Sequence, residues 1–142
     1  TGKTEGARVP SAGPASRLTM TGPLPDVRPA IAESAVCVVP LRIGGGTRIK
    51  ILQAMAVGTP VVATSKGAEG LGVTPGRDIL IGDTPAAFAG HVLALLSSPG
   101  LRDSMAAEAR TLVRDRYTWT QSGAKLNEVV QRAHSAWKAV HS

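Results

Sequence analysis

One junction constrains this chain more than any other part of it. The run Val39-Pro40-Leu41-Arg42-Ile43-Gly44-Gly45-Gly46-Thr47-Arg48-Ile49-Lys50-Ile51-Leu52-Gln53-Ala54-Met55-Ala56 passes from an apolar stretch, through three glycines with basic flanks, into apolar residues at helical spacing. It reads as a buried strand, a tight turn and an amphipathic helix. Glycine permits positive φ and close approach of the backbone to a ligand. A helix that starts straight after such a turn has N–H groups with no intrahelical acceptor. With Arg42, Arg48 and Lys50 around it, the turn is a candidate anion site, best suited to phosphate.

The sequence on either side alternates in the same way. Leu18 to Thr21 reads as a short strand and Pro25 to Glu33 as a short helix. Ala35 to Pro40 is a continuous apolar run of the kind buried on both faces of a sheet. Thr47 is the expected N-cap of a helix reaching Val57, with Gly58 as its C′ residue. Pro60 to Thr64 and Asp78 to Ile81 read as further strands. Thr84-Pro85 opens a helix with Phe88, Val92, Leu95 and Leu96 on one face. Ser98-Pro99 opens another, to Arg116, with Leu101, Met105, Leu112 and Val113 inward. A final helix over Thr120 to Val140 carries Leu126, Val129, Val130, Ala133, Trp137 and Val140 as a stripe that needs either its own domain or another one to pack on. This pattern predicts an α/β fold: a partial Rossmann-like open parallel sheet flanked by helices, with a long C-terminal helix. Ligands on such sheets bind at the carboxyl ends of the strands, where the glycine turn lies.

Residues 1–16 are rich in Gly, Pro, Ala and Ser without apolar periodicity, and are expected to form a disordered tail. Gly2-Lys3-Thr4 has the end of a P-loop but lacks its first glycine and the strand before it. The remaining length suits one domain of the 142-residue chain. Hydrophobic residues make up 43% but aromatics only 3%, so the core is expected to be aliphatic. The single cysteine, Cys37, reads as a buried thiol in an apolar strand, consistent with a reducing cytoplasm. No apolar run approaches the ~20 residues that span a bilayer.

The net charge of +6 and pI near 10.3 raise nucleic acid as a partner. The basic residues are spread along the chain and aromatic stacking platforms are nearly absent, so nucleic acid is disfavoured. A nucleotide diphosphate or an anionic membrane face suits the charge better. His91, His134 and His141 lack metal-ligand spacing and are expected to be surface or packing residues.

Gly58-Thr59-Pro60-Val61-Val62-Ala63-Thr64 and Gly67-Ala68-Glu69-Gly70-Leu71 follow the glycine turn. Together, Pro40 to Leu71 resembles the donor-binding segment of GT-B glycosyltransferases of the nucleotide-sugar-dependent "group 1" branch. Thr21-Gly22 with Pro25-Asp26-Val27-Arg28-Pro29, Gly76-Arg77-Asp78-Ile79-Leu80-Ile81 and Tyr117-Thr118-Trp119 resemble flanking motifs of the same family, from about Arg17 to the C-terminus. The resemblance implies that residues 17–142 are part of a C-terminal donor-binding domain. The acceptor domain and the opening of the donor domain, with its glycine loop and Arg/Lys pair, are not in this sequence. A start at Thr1 fits a fragment.

The resemblance also assigns a site. The donor diphosphate is expected at Gly44, Gly45, Gly46, Thr47, Arg48, Ile49 and Lys50, with Arg48 the leading side-chain contact and Lys50 the second. The family's donor site commonly has a glutamate, seven residues and a second glutamate before Ala-Met-Ala. Gln53 stands at the second position and Gly45 at the first, so both carboxylates are gone. Gln53 can still accept a ribose hydroxyl's hydrogen bond through its carbonyl oxygen, without charge assistance. Leu24, in the Gly22-Pro23-Leu24-Pro25 loop, is expected near the base, and Glu69 lies on the same rim.

By this reading the donor, a nucleotide-diphosphate sugar, is a substrate. No cofactor or metal is expected, because the family stabilises the leaving diphosphate with helix dipole and basic side chains. The implied partners are the nucleotide sugar and the N-terminal acceptor domain. The implied location is cytoplasmic, with a peripheral contact at the inner membrane face as a further option. The reaction is transfer of a sugar, hexosyltransferase-like, to an acceptor. The competing expectation is a non-catalytic truncated relic or weak nucleotide- or partner-binding module, inactive alone, with an unpaired apolar sheet edge.

Overall fold

The computed structural model describes residue 19, residues 21–46 and residues 48–141. The expected tail over 1–16, the Gly2-Lys3-Thr4 motif and Thr47 lie outside them. So do Leu18 and Met20 of the first expected strand, and Thr19 and Thr21 carry no strand structure.

Among the described residues nine elements follow in the order α1 (Arg28–Ala32), β1 (Cys37–Val39), α2 (Ile49–Val57), β2 (Val61–Ala63), α3 (Ser65–Ala68), β3 (Leu80–Ile81), α4 (Pro85–Ser97), α5 (Pro99–Arg116) and α6 (Trp119–His141). The strands form a parallel sheet in the order β1-β2-β3. Val38 stands opposite Val62, and Val62 opposite Leu80. The expected open parallel α/β sheet is therefore present, with every crossover made through a helix.

β2 is the centre of this sheet and is buried throughout. Its side chains alternate between two cores, as a pleated strand requires. Val61 and Ala63 join Val39, Ile51, Ala54, Met55, Ile79 and Ala109 on the face covered by α2 and α5. Val62 joins Leu95 and Met105 on the other face, with Phe88 and Val92 of α4 against them. The fully buried members of both cores are non-aromatic, as the composition demands, and Phe88 is the one aromatic ring packed against them.

Where the caps are local, the residues behave as their chemistry dictates. Gly58 ends α2 at φ 86°. Thr84 accepts from the Ala87 N–H ahead of α4, and Ser98 from the Leu101 N–H ahead of α5, each followed by proline. Cations assist at the carboxyl ends of two helices, α2 itself and α4. The Arg110 guanidinium donates to the Val57 carbonyl at 2.8 Å and Arg102 to the Leu95 carbonyl at 2.7 Å. Thr59 is buried and its hydroxyl donates to the Ile31 carbonyl, tying α1 to the end of α2.

Three expectations need correcting, and one of two alternatives left open is resolved. Position Arg48, not Thr47, precedes α2 as its cap, and it makes no side-chain cap hydrogen bond. β1 is not buried on both faces: Val38 is 49% exposed. Register explains this, since Val38 shares a face with Val62, and α4, which covers that face, packs on β2 and β3. Leu96 and Leu101, expected inward, are exposed. Finally, α6 does not pack its stripe on its own domain: every described residue from Trp119 to His141 is exposed.

Cys37 is half-buried, and burial pushes its thiol above the usual range. His91 packs against the sheet end, its Nε2 3.1 Å from the Ile81 carbonyl. His141 stacks on Trp137 at 4.7 Å. Among the described residues no group of His, Cys, Asp and Glu is arranged to hold a metal ion, and no helix is long and apolar enough to cross a membrane.

Candidate functional site

The loop from Pro40 to Arg48 leaves the carboxyl end of β1 and turns back into α2. Gly44 takes φ 135° and Gly46 φ 88°, conformations that L side chains rarely adopt. Two of the three glycines are thus set by backbone geometry, and the turn is exposed along its length.

Arg48 explains how so flexible a sequence holds one shape. Its side chain is only 6% exposed and turned into the loop. Nη1 donates to the Gly45 carbonyl at 3.2 Å, and Nη2 to those of Gly44 at 3.2 Å and Lys66 at 2.8 Å. Glu69 stands 3.5 Å from the same Nη2, long for a direct bond. Nε is buried without a partner. The guanidinium fork therefore clasps the turn to α3 from inside, a job that its planar set of donors suits and a lysine could not repeat.

This clasp has a geometric consequence. A trans peptide points its N–H opposite to its C=O, and no cis bond occurs among the described residues. With the carbonyls of Gly44 and Gly45 drawn inward to Arg48, the N–H groups of Gly45 and Gly46 point outward. The first-turn N–H groups of α2, at Ile49 and Lys50, have no intrahelical acceptor. Successive outward N–H groups at a helix start make an anion-receptive concavity.

Supporting contacts fix the loop's base. The Thr64 hydroxyl donates to the Leu41 carbonyl and accepts from the Gly67 N–H at 2.9 Å. A side chain at Gly67 would put its Cβ 2.7 Å from the Val39 carbonyl oxygen, so α3 sits on the end of β1 only because that position is glycine. Asp83, just past β3, accepts from the Ser65 N–H at 2.7 Å and hydroxyl at 2.6 Å. Those bonds hold its carboxyl below its ordinary range. The Lys66 ammonium, 2.6 Å away, does the same for Glu69. Arg42, Arg48, Lys50 and Lys66 around the turn outnumber Glu69, leaving it electropositive.

Beside the turn, across the carboxyl ends of all three strands, lies a cleft of about 310 Å³. Pro40, Pro85, Phe88 and Ala89 give it apolar walls, and Arg42, Thr64 and Asp83 stand at its polar end. Thr64 and Asp83 are engaged in the bonds above. Arg42 is exposed and makes no ion pair among the described residues.

The residues expected at the site are thus distributed as follows. Gly44, Gly45, Gly46, Arg48, Ile49 and Lys50 are brought together, with Arg48 facing inward and Lys50 exposed. Gln53 lies one turn further along α2, half-buried, its amide without a hydrogen bond among the described residues. Leu24 is half-buried ahead of α1, on the N-terminal side of β1. Thr64, Asp83 and the cleft went unforeseen. The signal was present, since each follows a strand's carboxyl end, but which strand ends converge is a matter of topology.

Fold and site together define an α/β domain that presents an electropositive backbone turn at the carboxyl edge of a parallel sheet. A family model described as Glycosyl transferases group 1 matches residues 2–98, which include the turn, the sheet and α4. The chain belongs to the group 1 glycosyltransferases. The match begins within the segment expected to be a tail and ends where α5 begins. Comparison with curated proteins and with solved structures returned no match.

Proposed function

We propose that this chain holds the nucleotide-diphosphate-sugar donor of a GT-B glycosyltransferase, with the diphosphate on the glycine turn. The observation that carries the reading is the outward set of N–H groups at Gly45, Gly46, Ile49 and Lys50, in a chain of this family. A helix N-terminus favours an anion by about 0.3–1 kcal/mol, and each charge-assisted hydrogen bond adds about 1.5–3 kcal/mol. Lys50 is the side chain left to meet a phosphate oxygen, and Arg48 acts from beneath by shaping the turn. Gln53 takes a ribose hydroxyl and Leu24 borders the base. These donors stabilise the diphosphate as it leaves, with neither metal nor cofactor. The transferred sugar, a hexose, faces the cleft beside Arg42.

The acceptor site belongs to a separate N-terminal domain. Asp83 and Glu69, the carboxylates at the strand ends, are both tied to neighbours, so the chain alone binds donor without turning it over. The enzyme works in the cytoplasm, with a peripheral contact at the inner face of the membrane.

Calorimetric titration with UDP and GDP at low salt tests this reading. Binding by the folded chain that falls at least about tenfold in Lys50→Gln, the loss of one charge-assisted bond, is the expected result. A folded chain that binds neither nucleotide sinks it.

A further inference from the structure

The cleft beside the glycine turn holds one cation that neither the fold nor the diphosphate uses. At about 310 Å³ it stands at the small end of ligand pockets and suits a single ring. Most of its polar side chains are already engaged. The Thr64 hydroxyl bonds Leu41 and Gly67, Asp83 holds Ser65, and Thr84 caps α4 through the Ala87 N–H. Arg42 is the one polar side chain of the lining with neither hydrogen bond nor ion pair among the described residues. The diphosphate is met by the N–H groups of the turn and by Lys50, which leaves Arg42 for another anion.

We infer that the sugar this cleft takes is a hexuronic acid, whose C6 carboxylate pairs with the Arg42 guanidinium. This assignment rests on the donor reading proposed above and narrows its substrate class. A guanidinium carries five donors and no acceptor, in a planar fork that matches the two oxygens of a carboxylate. A neutral hexose offers the same fork only hydroxyls, and such bonds are about half as strong. Arg42 precedes Gly45 by three residues, so their Cα atoms lie within about 11 Å. A sugar on the outer phosphate is therefore within reach of it. Asp83 sets the orientation. The Ser65 bonds keep its carboxyl ionised, so it repels the acid group towards Arg42. Its remaining lone pairs can accept ring hydroxyls. Pro40, Pro85 and Phe88 give the C–H face of the ring an apolar wall.

Calorimetric titration of the full chain near neutral pH tests this with donors that differ only at C6. UDP-glucose is compared with UDP-glucuronic acid, and GDP-mannose with GDP-mannuronic acid. For the nucleotide that binds, the acidic donor should bind about tenfold more tightly than its neutral partner. Arg42→Gln should remove that preference, weakening the acidic donor about tenfold more than the plain nucleotide. Lys66→Gln also removes a positive charge near the turn and should keep the preference, which tells a contact from a general field. Nucleotide binding without preference between the paired sugars overturns the assignment and leaves the donor site standing. So does a preference that falls alike in both variants. An Arg42→Gln that weakens plain nucleotide as much as the acidic donor also overturns it, giving Arg42 to the diphosphate. A folded chain that binds no nucleotide overturns both readings.

Discussion

α2 and α6 make opposite use of apolar residues. α6 has the clearer apolar stripe, running through a 23-residue helix, and buries none of it. α2 has nine residues and buries Ile51, Ala54 and Met55 fully between the sheet and α5. The contrast teaches that periodicity records what a helix offers and says nothing of what it meets. It also separates rigidity from reach: the glycine turn is anchored to the buried helix, while the exposed helix is available for an outside surface.

The largest expected effect tests that division directly. Met55→Ala should destabilise the fold by about 2–5 kcal/mol in urea unfolding, whereas Leu126→Ala should stay within about 0.5 kcal/mol. Equal losses would mean that α6 is packed in solution, and the comparison would collapse.

Next comes the clasp. Arg48→Gln leaves the carbonyls of Gly44, Gly45 and Lys66 without their shared donor, at about 1–3 kcal/mol, and should weaken UDP or GDP binding with it. Arg48→Lys should rescue little, because one compact ammonium nitrogen cannot stand where both Nη1 and Nη2 meet their carbonyls. Full rescue of binding by lysine would point to a plain charge contact with phosphate.

A smaller effect is expected at the turn itself. Gly46→Ala forces a side chain into φ 88° and should cost about 1–2 kcal/mol, with a matching loss of nucleotide affinity. Wild-type stability in thermal unfolding would show that the turn is not held as described.

The smallest is a pH effect. The Ser65 hydrogen bonds hold Asp83 below its ordinary value of 3.8, so its contribution is present above that value and is lost as pH falls through the folded-state value. Asp78 has the opposite sign: burial raises its carboxyl, and its charging costs stability as pH rises past 3.8. Asp83→Asn should therefore flatten the acid limb of the stability profile, and Asp78→Asn should not.

Much of the fold could be read in advance because it rests on neighbours in sequence. Gly58, Thr84-Pro85 and Ser98-Pro99 end or begin helices through atoms within a few residues, and the apolar runs at Val61 and Leu80 needed no partner to be recognised. What could not be read depends on contacts across the fold. The inward turn of Arg48 depends on the Lys66 carbonyl, and the exposure of Val38 on where α4 stops. The cleft depends on Pro40, Thr64 and Asp83 meeting at the strand ends. Arg48, Lys50 and the glycines were identified as a group from sequence. The division of labour among them came from the geometry.

The central claim is that the outward N–H groups of the glycine turn receive a diphosphate. Nuclear magnetic resonance of the ¹⁵N-labelled chain during titration with UDP tests it most directly. The account predicts that the amides of Gly45, Gly46, Ile49 and Lys50 shift together and saturably, while the indole signals of Trp119 and Trp137 stay still. Saturable shifts elsewhere, with those four amides unmoved, would contradict it.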